Sequence, residues 1–355
     1  MEKKFRRIGV LTSGGDAPGM NAAIKSVTAA ALAHGVEVVG IIGGYRGLID
    51  NNVKYLTTAD VADIVSRGGT ALYSARCTEF MEEAGIMKAV ETCKKHEIDG
   101  MVVIGGDGTF RGAYDLSAKG IPCIGLPGTI DNDITATDVT IGFDTAMTTG
   151  MNLCDKLRDT CESHSRCNVV ELMGRNAGYI ALNVGAAVNA VAVVTKEIPF
   201  DKEACYARMK KLRAAGQQSF IVVVAEGVGA DFGEQFVKEI EENTGIEARF
   251  CRPAHILRGG VPTLRDRVFA AKVGAYAVEM LLQGKSNIVI CERKGDICEC
   301  DLDVAFTVDR MYKGKMKPEE LDKHSPEEIA YMEALCEERR KEFKELYDTV
   351  ELICC

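Results

Sequence analysis

Short apolar runs alternate with amphipathic stretches along most of this chain. The runs at 8–12, 37–42, 100–104, 123–126, 169–173, 190–195, 220–225 and 288–291 predict strands. The stretches at 18–34, 58–66, 86–96, 110–119, 146–160, 202–214, 233–244 and 265–283 predict helices. Short apolar strands separated by helices belong to parallel sheets buried on both faces, so an α/β fold with mainly parallel sheets is expected. No low-complexity linker divides the chain, and a domain boundary is expected near Gly142. Beyond Met316 the chain turns polar and then helical. Ser325-Pro-Glu-Glu328 is a capping box with proline at the first helical position, and the helix it opens is expected to run to about Leu346 with a solvated, charged face.

Two of the apolar runs end alike, in Gly-Gly-Asp. The first continues as Gly14-Gly-Asp-Ala-Pro-Gly-Met-Asn21 and the second as Gly105-Gly-Asp-Gly-Thr109. Glycine lets backbone approach a ligand closely, and the helix that follows turns its free N–H groups on whatever sits in the loop, most often phosphate. Asp107, with glycine on both sides, is a natural Mg²⁺ ligand; it is also a natural helix N-cap, although capping does not explain the glycines. A third loop after a strand, Pro127-Gly-Thr-Ile-Asp-Asn-Asp133, crowds carboxylates and a hydroxyl together. Turn chemistry accounts for such residues, and so does a general base for an attacking hydroxyl.

Composition narrows the partners. The 355 residues carry a net charge of −9, which argues against general affinity for nucleic acid or an anionic membrane. Yet Arg76, Arg166, Arg175, Arg249 and Arg258 all fall in loop or glycine-rich segments, where guanidinium groups bind phosphate bidentately. There is no membrane-length apolar run and no signal-peptide pattern. The fourteen cysteines match no zinc spacing and no disulfide scaffold, Cys298-Glu-Cys300 and Cys354-Cys355 included, so reduced thiols and a cytoplasmic location are expected.

These loops, with Met173-Gly-Arg175 and His255-Ile-Leu-Arg-Gly-Gly260, occur in the order found in bacterial 6-phosphofructokinases, which the chain resembles over about residues 6–315. The resemblance implies two Rossmann-like three-layer α/β/α domains with the active site in the cleft between them. Residues 1–142 plus about 258–305 would bind ATP and Mg²⁺, 143–257 plus about 306–324 would bind fructose 6-phosphate, and 325–355 would form a helical tail. It implies transfer of the ATP γ-phosphoryl group to the 1-hydroxyl of fructose 6-phosphate. Asp131 matches the catalytic base, with Thr129, Asp133 and Arg175 beside it in catalysis. Asp107 matches the magnesium ligand. Gly15, Tyr45, Arg76, Cys77, Gly106, Asp107, Gly108 and Thr109 match the ATP site. Thr129, Asp131, Met173, Gly174, Arg175, Glu226, His255 and Arg258 match the sugar phosphate site. Arg166 and Arg249 match arginines that reach a neighbouring subunit's sugar phosphate, implying active sites shared within a homotetramer.

The resemblance also separates rivals. Pyrophosphate-dependent relatives carry Asp where this chain has Gly108 and Lys where it has Gly128, so ATP is the expected donor. A Rossmann oxidoreductase would need G-x-G-x-x-G at the first turn, and a non-catalytic sensing subunit would be expected to lack Asp131 or Asp107. At the second, effector-binding site of the family, Lys25 and Arg158 fit, but Ala29, Thr58, Gln217 and Gln218 stand where basic residues are expected and Val191 where a metal-binding Glu is expected. Control by ADP or phosphoenolpyruvate is therefore expected to be weak.

Overall fold

A computed structural model describes residues 5–354, with Pro318 described by its backbone alone. The strands are β1 (Arg7–Thr12), β2 (Glu37–Ile41), β3 (Val53–Leu56), β4 (Gly100–Gly105), β5 (Cys123–Pro127), β6 (Cys167–Leu172), β7 (Ala192–Val194), β8 (Phe220–Ala225), β9 (Ala248–Cys251), β10 (Ile288–Arg293) and β11 (Asp296–Asp301). The helices are α1 (Met20–Ala33), α2 (Gly44–Ile49), α3 (Glu83–Lys95), α4 (Asp107–Ala118), α5 (Phe143–His164), α6 (Tyr179–Ala187), α7 (Lys202–Ala214), α8 (Phe232–Thr244), α9 (Leu264–Leu282), α10 (Leu302–Tyr312) and α11 (Pro326–Ile353).

The chain forms two compact units. The first comprises Met1–Ile130, Ile134–Asp144 and Arg258–Cys336; the second comprises Asp131–Asp133, Thr145–Leu257 and Glu337–Cys355. The first holds a seven-stranded sheet in the order β11-β10-β5-β4-β1-β2-β3. Its five inner strands are parallel, and β3 and β11 close the edges antiparallel. Leu11, Val39, Met101 and Val103 face α2, α3, α4 and α10 on one side, while α1 and α9 pack together on the other. The second unit holds four parallel strands in the order β7-β8-β6-β9. Val169, Val222 and Phe220 share its core with Tyr206 and Met209 of α7 and Phe236 of α8.

The eight expected strands are all present. The three unforeseen ones, β3, β9 and β11, are edge strands. An edge strand has one neighbour and a partly wet face, so it carries Lys54, Arg249, Asp296 or Glu299 in place of an apolar run. Helix α6 escaped notice for the opposite reason: it is apolar nearly all round, and most of its residues are buried. The helix expected over 58–66 does not form. Only a 3₁₀ turn at Ala59–Val61 appears, because Asp60 accepts hydrogen bonds from the Thr57 amide (2.8 Å) and hydroxyl (2.6 Å) and ion-pairs with Lys54.

The domain bounds need two corrections. Residues 306–324 belong to the first unit, since α10 lies against α4, where Phe306 meets the edge of Tyr114 at 6.1 Å and Arg111 sits over its ring. The segment 325–355 is no separate tail. Met332, Leu335 and Cys336 enter the first unit's core, and the chain from Glu337 onward packs within the second. The capping box forms as expected: the Ser325 amide donates to Glu328 at 2.9 Å and the Glu328 amide to the Ser325 hydroxyl at 3.2 Å.

Candidate active site

In the first unit, β2 lies to one side of β1 and β4 to the other, so the strand order reverses at the β1–β4 pair. The carboxyl ends at such a reversal leave a crevice for ligands. Both Gly-Gly-Asp loops open there. The Ser13 amide donates to the Ile104 carbonyl at 3.0 Å, and the Thr109 hydroxyl donates to the Ser13 carbonyl at 3.0 Å, so the loops are stitched to each other. A Cβ on Gly105 would strike the Thr109 hydroxyl and the Ser13 carbonyl, which explains that glycine by close packing.

Gly106 is the N-cap of α4, and Asp107 is its first helical residue. Asp107 is thus not the cap. Its half-buried carboxylate makes no hydrogen bond or ion pair among the described residues. A Cβ on Gly108 would meet nothing within 4 Å. The start of α4 therefore offers free amides, an uncommitted carboxylate and open space. Tyr45 is buried beneath it. Its ring stacks on Phe80 at 4.2 Å, and its hydroxyl donates to the Thr109 carbonyl at 2.5 Å. Burial holds the phenol pKa well above its usual value, so it stays a donor. The residue supports the loop from below. Alongside, the Ser74 hydroxyl donates to the Gly14 carbonyl at 2.5 Å, which brings the segment with exposed Arg76 and half-buried Cys77 to the first loop. Arg258 reaches the same loop. Its Nη1 donates to the Asp16 carbonyl at 3.4 Å, and a Cβ on Gly15 would collide with its guanidinium.

Gly128 ends the third loop's strand in a tight place: a Cβ there would lie 3.0 Å from Ile104 and 3.1 Å from Met20. The Thr129 carbonyl accepts from the Thr140 hydroxyl at 2.6 Å. Asp131 and Asn132 are buried, with 6% and 2% exposure, and Asp133 is half-buried. Asn132 adopts φ 50°, the left-handed region that asparagine tolerates better than most residues.

In the second unit, β6 delivers Met173, Gly174 and Arg175. Gly174 and Arg175 have φ of 154° and 58°, and their amides both donate to Glu226 at the end of β8, at 3.3 and 2.5 Å. Glu226 thereby fixes this loop, and the Arg175 side chain is left exposed. His255 is exposed in a 3₁₀ turn. Arg166 and Arg249 are brought together by Glu247, at 3.7 and 2.5 Å, beside edge strand β9. Sequence reasoning missed Glu241 and Glu247 as their local counter-charges.

Among the described residues no group of three or more His, Cys, Asp or Glu is arranged to hold a metal. A lone carboxylate such as Asp107 suits Mg²⁺, which is commonly held by one or two carboxylates, substrate phosphates and water. The described cysteines are free thiols, and Cys355 lies outside the described residues. Burial pushes Cys93, Cys154, Cys205 and Cys300 up to about 12, so they stay protonated at neutral pH. No helix among the described residues is long and apolar enough to cross a membrane.

The profile of the phosphofructokinase family matches residues 7–281. The chain belongs to the phosphofructokinase family. Over 314 residues it is 50% identical to the ATP-dependent 6-phosphofructokinase of Bacillus pumilus, a match covering 87% of this chain and 98% of that one. It is 48% identical over 308 residues to ATP-dependent 6-phosphofructokinase 1 of Clostridium perfringens, covering 87% and 96%. Among solved phosphofructokinase structures, that of Saccharomyces cerevisiae aligns with a TM-score of 0.83 at 28% identity, over 97% of this chain and 50% of its own. The present chain thus spans half the length of that yeast chain. A pyrophosphate-dependent phosphofructokinase from Marinobacter aquaeolei aligns with a TM-score of 0.74 at 23% identity, over 84% and 83%, which shows the shared fold.

Proposed function

We propose that this family member is an ATP-dependent 6-phosphofructokinase, which transfers the γ-phosphoryl group of ATP to the 1-hydroxyl of fructose 6-phosphate and releases ADP. The observation that carries this reading is the start of α4, where the uncommitted Asp107 carboxylate stands between Gly106 and the open space at Gly108. The amides of that turn suit polyphosphate, and Asp107 suits its cation. Magnesium, when bound, would neutralise charge on the transferring phosphate. Arg76 and the Gly14–Gly15 backbone would hold the nucleotide; Tyr45 and Cys77 would support that wall from the core. Thr129, Asp131, Asp133, Met173, Gly174, Arg175, Glu226, His255 and Arg258 would hold the sugar phosphate, with Glu226 acting by fixing the 174–175 amides. Asp131 would accept the hydroxyl proton as the new O–P bond forms and the bond to ADP breaks. Burial of free thiols fits work in the reducing cytoplasm.

The test compares ATP, pyrophosphate and no donor in a coupled assay with fructose 6-phosphate. ATP is expected to be turned over and pyrophosphate not. Faster turnover with pyrophosphate than with ATP would overturn the reading. The variant Gly108→Asp is expected to weaken ATP use by about 10-fold or more through like-charge repulsion, with no steric cost to the fold, because the position is open. Gly128→Lys is a poorer probe, since its crowded Cβ position would disturb packing as well.

Control by ADP or phosphoenolpyruvate is expected to be slight. Near Lys25 a cavity of about 370 Å³ is lined by Ala29 and also by Arg267, a second cation that the sequence pattern did not single out. Gln217 and Gln218 are engaged locally with Ser219, Gly216, Ser165 and Arg213, and Arg158 donates to the Val188 carbonyl. Two cations leave much of a multiply charged anion uncompensated. Fructose 6-phosphate saturation curves with each effector should nearly coincide with the curve without it. A large shift in half-saturation, abolished by Lys25→Ala, would show the site to be sufficient.

A further inference from the structure

Helix α11 carries one residue that its own pattern does not explain. The buried positions Met332, Leu335, Cys336, Phe343 and Val350 recur at intervals of three, four or seven, as an apolar stripe does. Arg339 occupies a position in that stripe and is only 4% exposed. A guanidinium at a core position costs stability unless something there requires it, and residues that break the local pattern in this way mark functional sites.

The contacts show what requires it. Arg339 Nη2 donates to the carbonyl of Asn132 at 3.2 Å. The guanidinium also lies over the ring of Tyr179, 4.7 Å from its centroid, at the start of α6. Phe343, four residues on and so on the same helix face, meets that ring edge-on at 5.2 Å and 85°. Arg339 therefore packs on the Tyr179 ring and bonds the left-handed residue of the third loop, which immediately follows Asp131. The direction in which Asp131 presents its carboxylate depends on that backbone turn.

We propose that Arg339 is a positioning residue for phosphoryl transfer: from the C-terminal helix it pins the Asn132 carbonyl and so sets the aim of Asp131. The proposal rests on the reading of Asp131 as the base. Helix α11 lies beyond the region, about residues 6–315, over which the family motifs run.

The test uses the full-length protein with Arg339→Leu, which completes the apolar stripe, and Arg339→Lys, which keeps the charge without the planar fork. In Arg339→Leu, kcat is expected to fall by roughly 10- to 100-fold, the scale of a misplacement of about 1 Å at the reacting centre. KM for both substrates should stay within about twofold. Arg339→Lys should recover part of the loss. If Arg339→Leu does not fold, Arg339→Gln carries the same comparison. Unchanged kcat in a folded variant would overturn the proposal, and so would a loss confined to KM or Tm that Lys fails to relieve. Asp131→Asn, run in parallel, tells the two failures apart. If it retains kcat, the base assignment itself is wrong; if it collapses kcat while Arg339→Leu does not, only the positioning role fails.

Discussion

Replacing Asp131 by asparagine is expected to lower kcat by about 10²–10⁴-fold or more, with KM for ATP and fructose 6-phosphate little changed. The substitution keeps the volume of a side chain that is 6% exposed, so the buried loop need not repack. On the proposed reading, it removes the group that would accept the hydroxyl proton. Phosphoryl transfer leaves a protein little covalent work beyond placing reactants and balancing charge, so a lost base falls on the chemical step and not on binding. A steady-state comparison of kcat and kcat/KM, with Tm measured on the same preparation, separates this from unfolding. Near-normal kcat in Asp131→Asn would remove Asp131 from the mechanism.

The parts of this site visible in the sequence are those whose logic is local. Gly14, Asp107 and Asp131 each follow a buried strand by a few residues, and strand, glycine and carboxylate are read in one window. The supports were invisible because their partners are remote. Arg258 and the Asp16 carbonyl are 242 residues apart, and Arg339 and Asn132 are 207 apart. Nothing in the neighbourhood of Arg339 distinguishes it from Arg340, which follows it on the same helix; only burial does. The edge strands were missed for a related reason. An apolar run signals burial on two faces, and β3, β9 and β11 have only one neighbouring strand each. Tyr45 shows how a residue assigned to the ligand can serve beneath it, since its hydroxyl is already bound to Thr109.

Two inactive proteins are expected to restore activity when their subunits exchange. We propose that Arg166 and Arg249 serve a neighbouring subunit's sugar phosphate. Both belong to the second unit, where Glu247 gathers them beside edge strand β9. Arg166 donates to Thr160 at 2.9 Å and Arg249 to the Ala248 carbonyl at 2.9 Å, so with Glu241 and Glu247 each guanidinium is held in place, and a phosphate would compete with those carboxylates for its five N–H donors. Losing one charge-assisted contact costs about 1.5–3 kcal/mol, or roughly 10- to 150-fold in kcat/KM. Arg166→Ala should therefore bind fructose 6-phosphate poorly, while Asp131→Asn should bind it and fail to react. In a mixed oligomer, a site that combines Asp131 of the Arg166→Ala chain with Arg166 of the Asp131→Asn chain is complete. Random exchange across symmetric interfaces makes about a quarter of the sites so. Activity should rise from near zero toward that fraction of the wild-type value, and the double variant mixed with wild type should give no such gain. If mass measurement shows that subunits have exchanged and activity does not return, each site is complete within its own chain, and Arg166 and Arg249 act elsewhere.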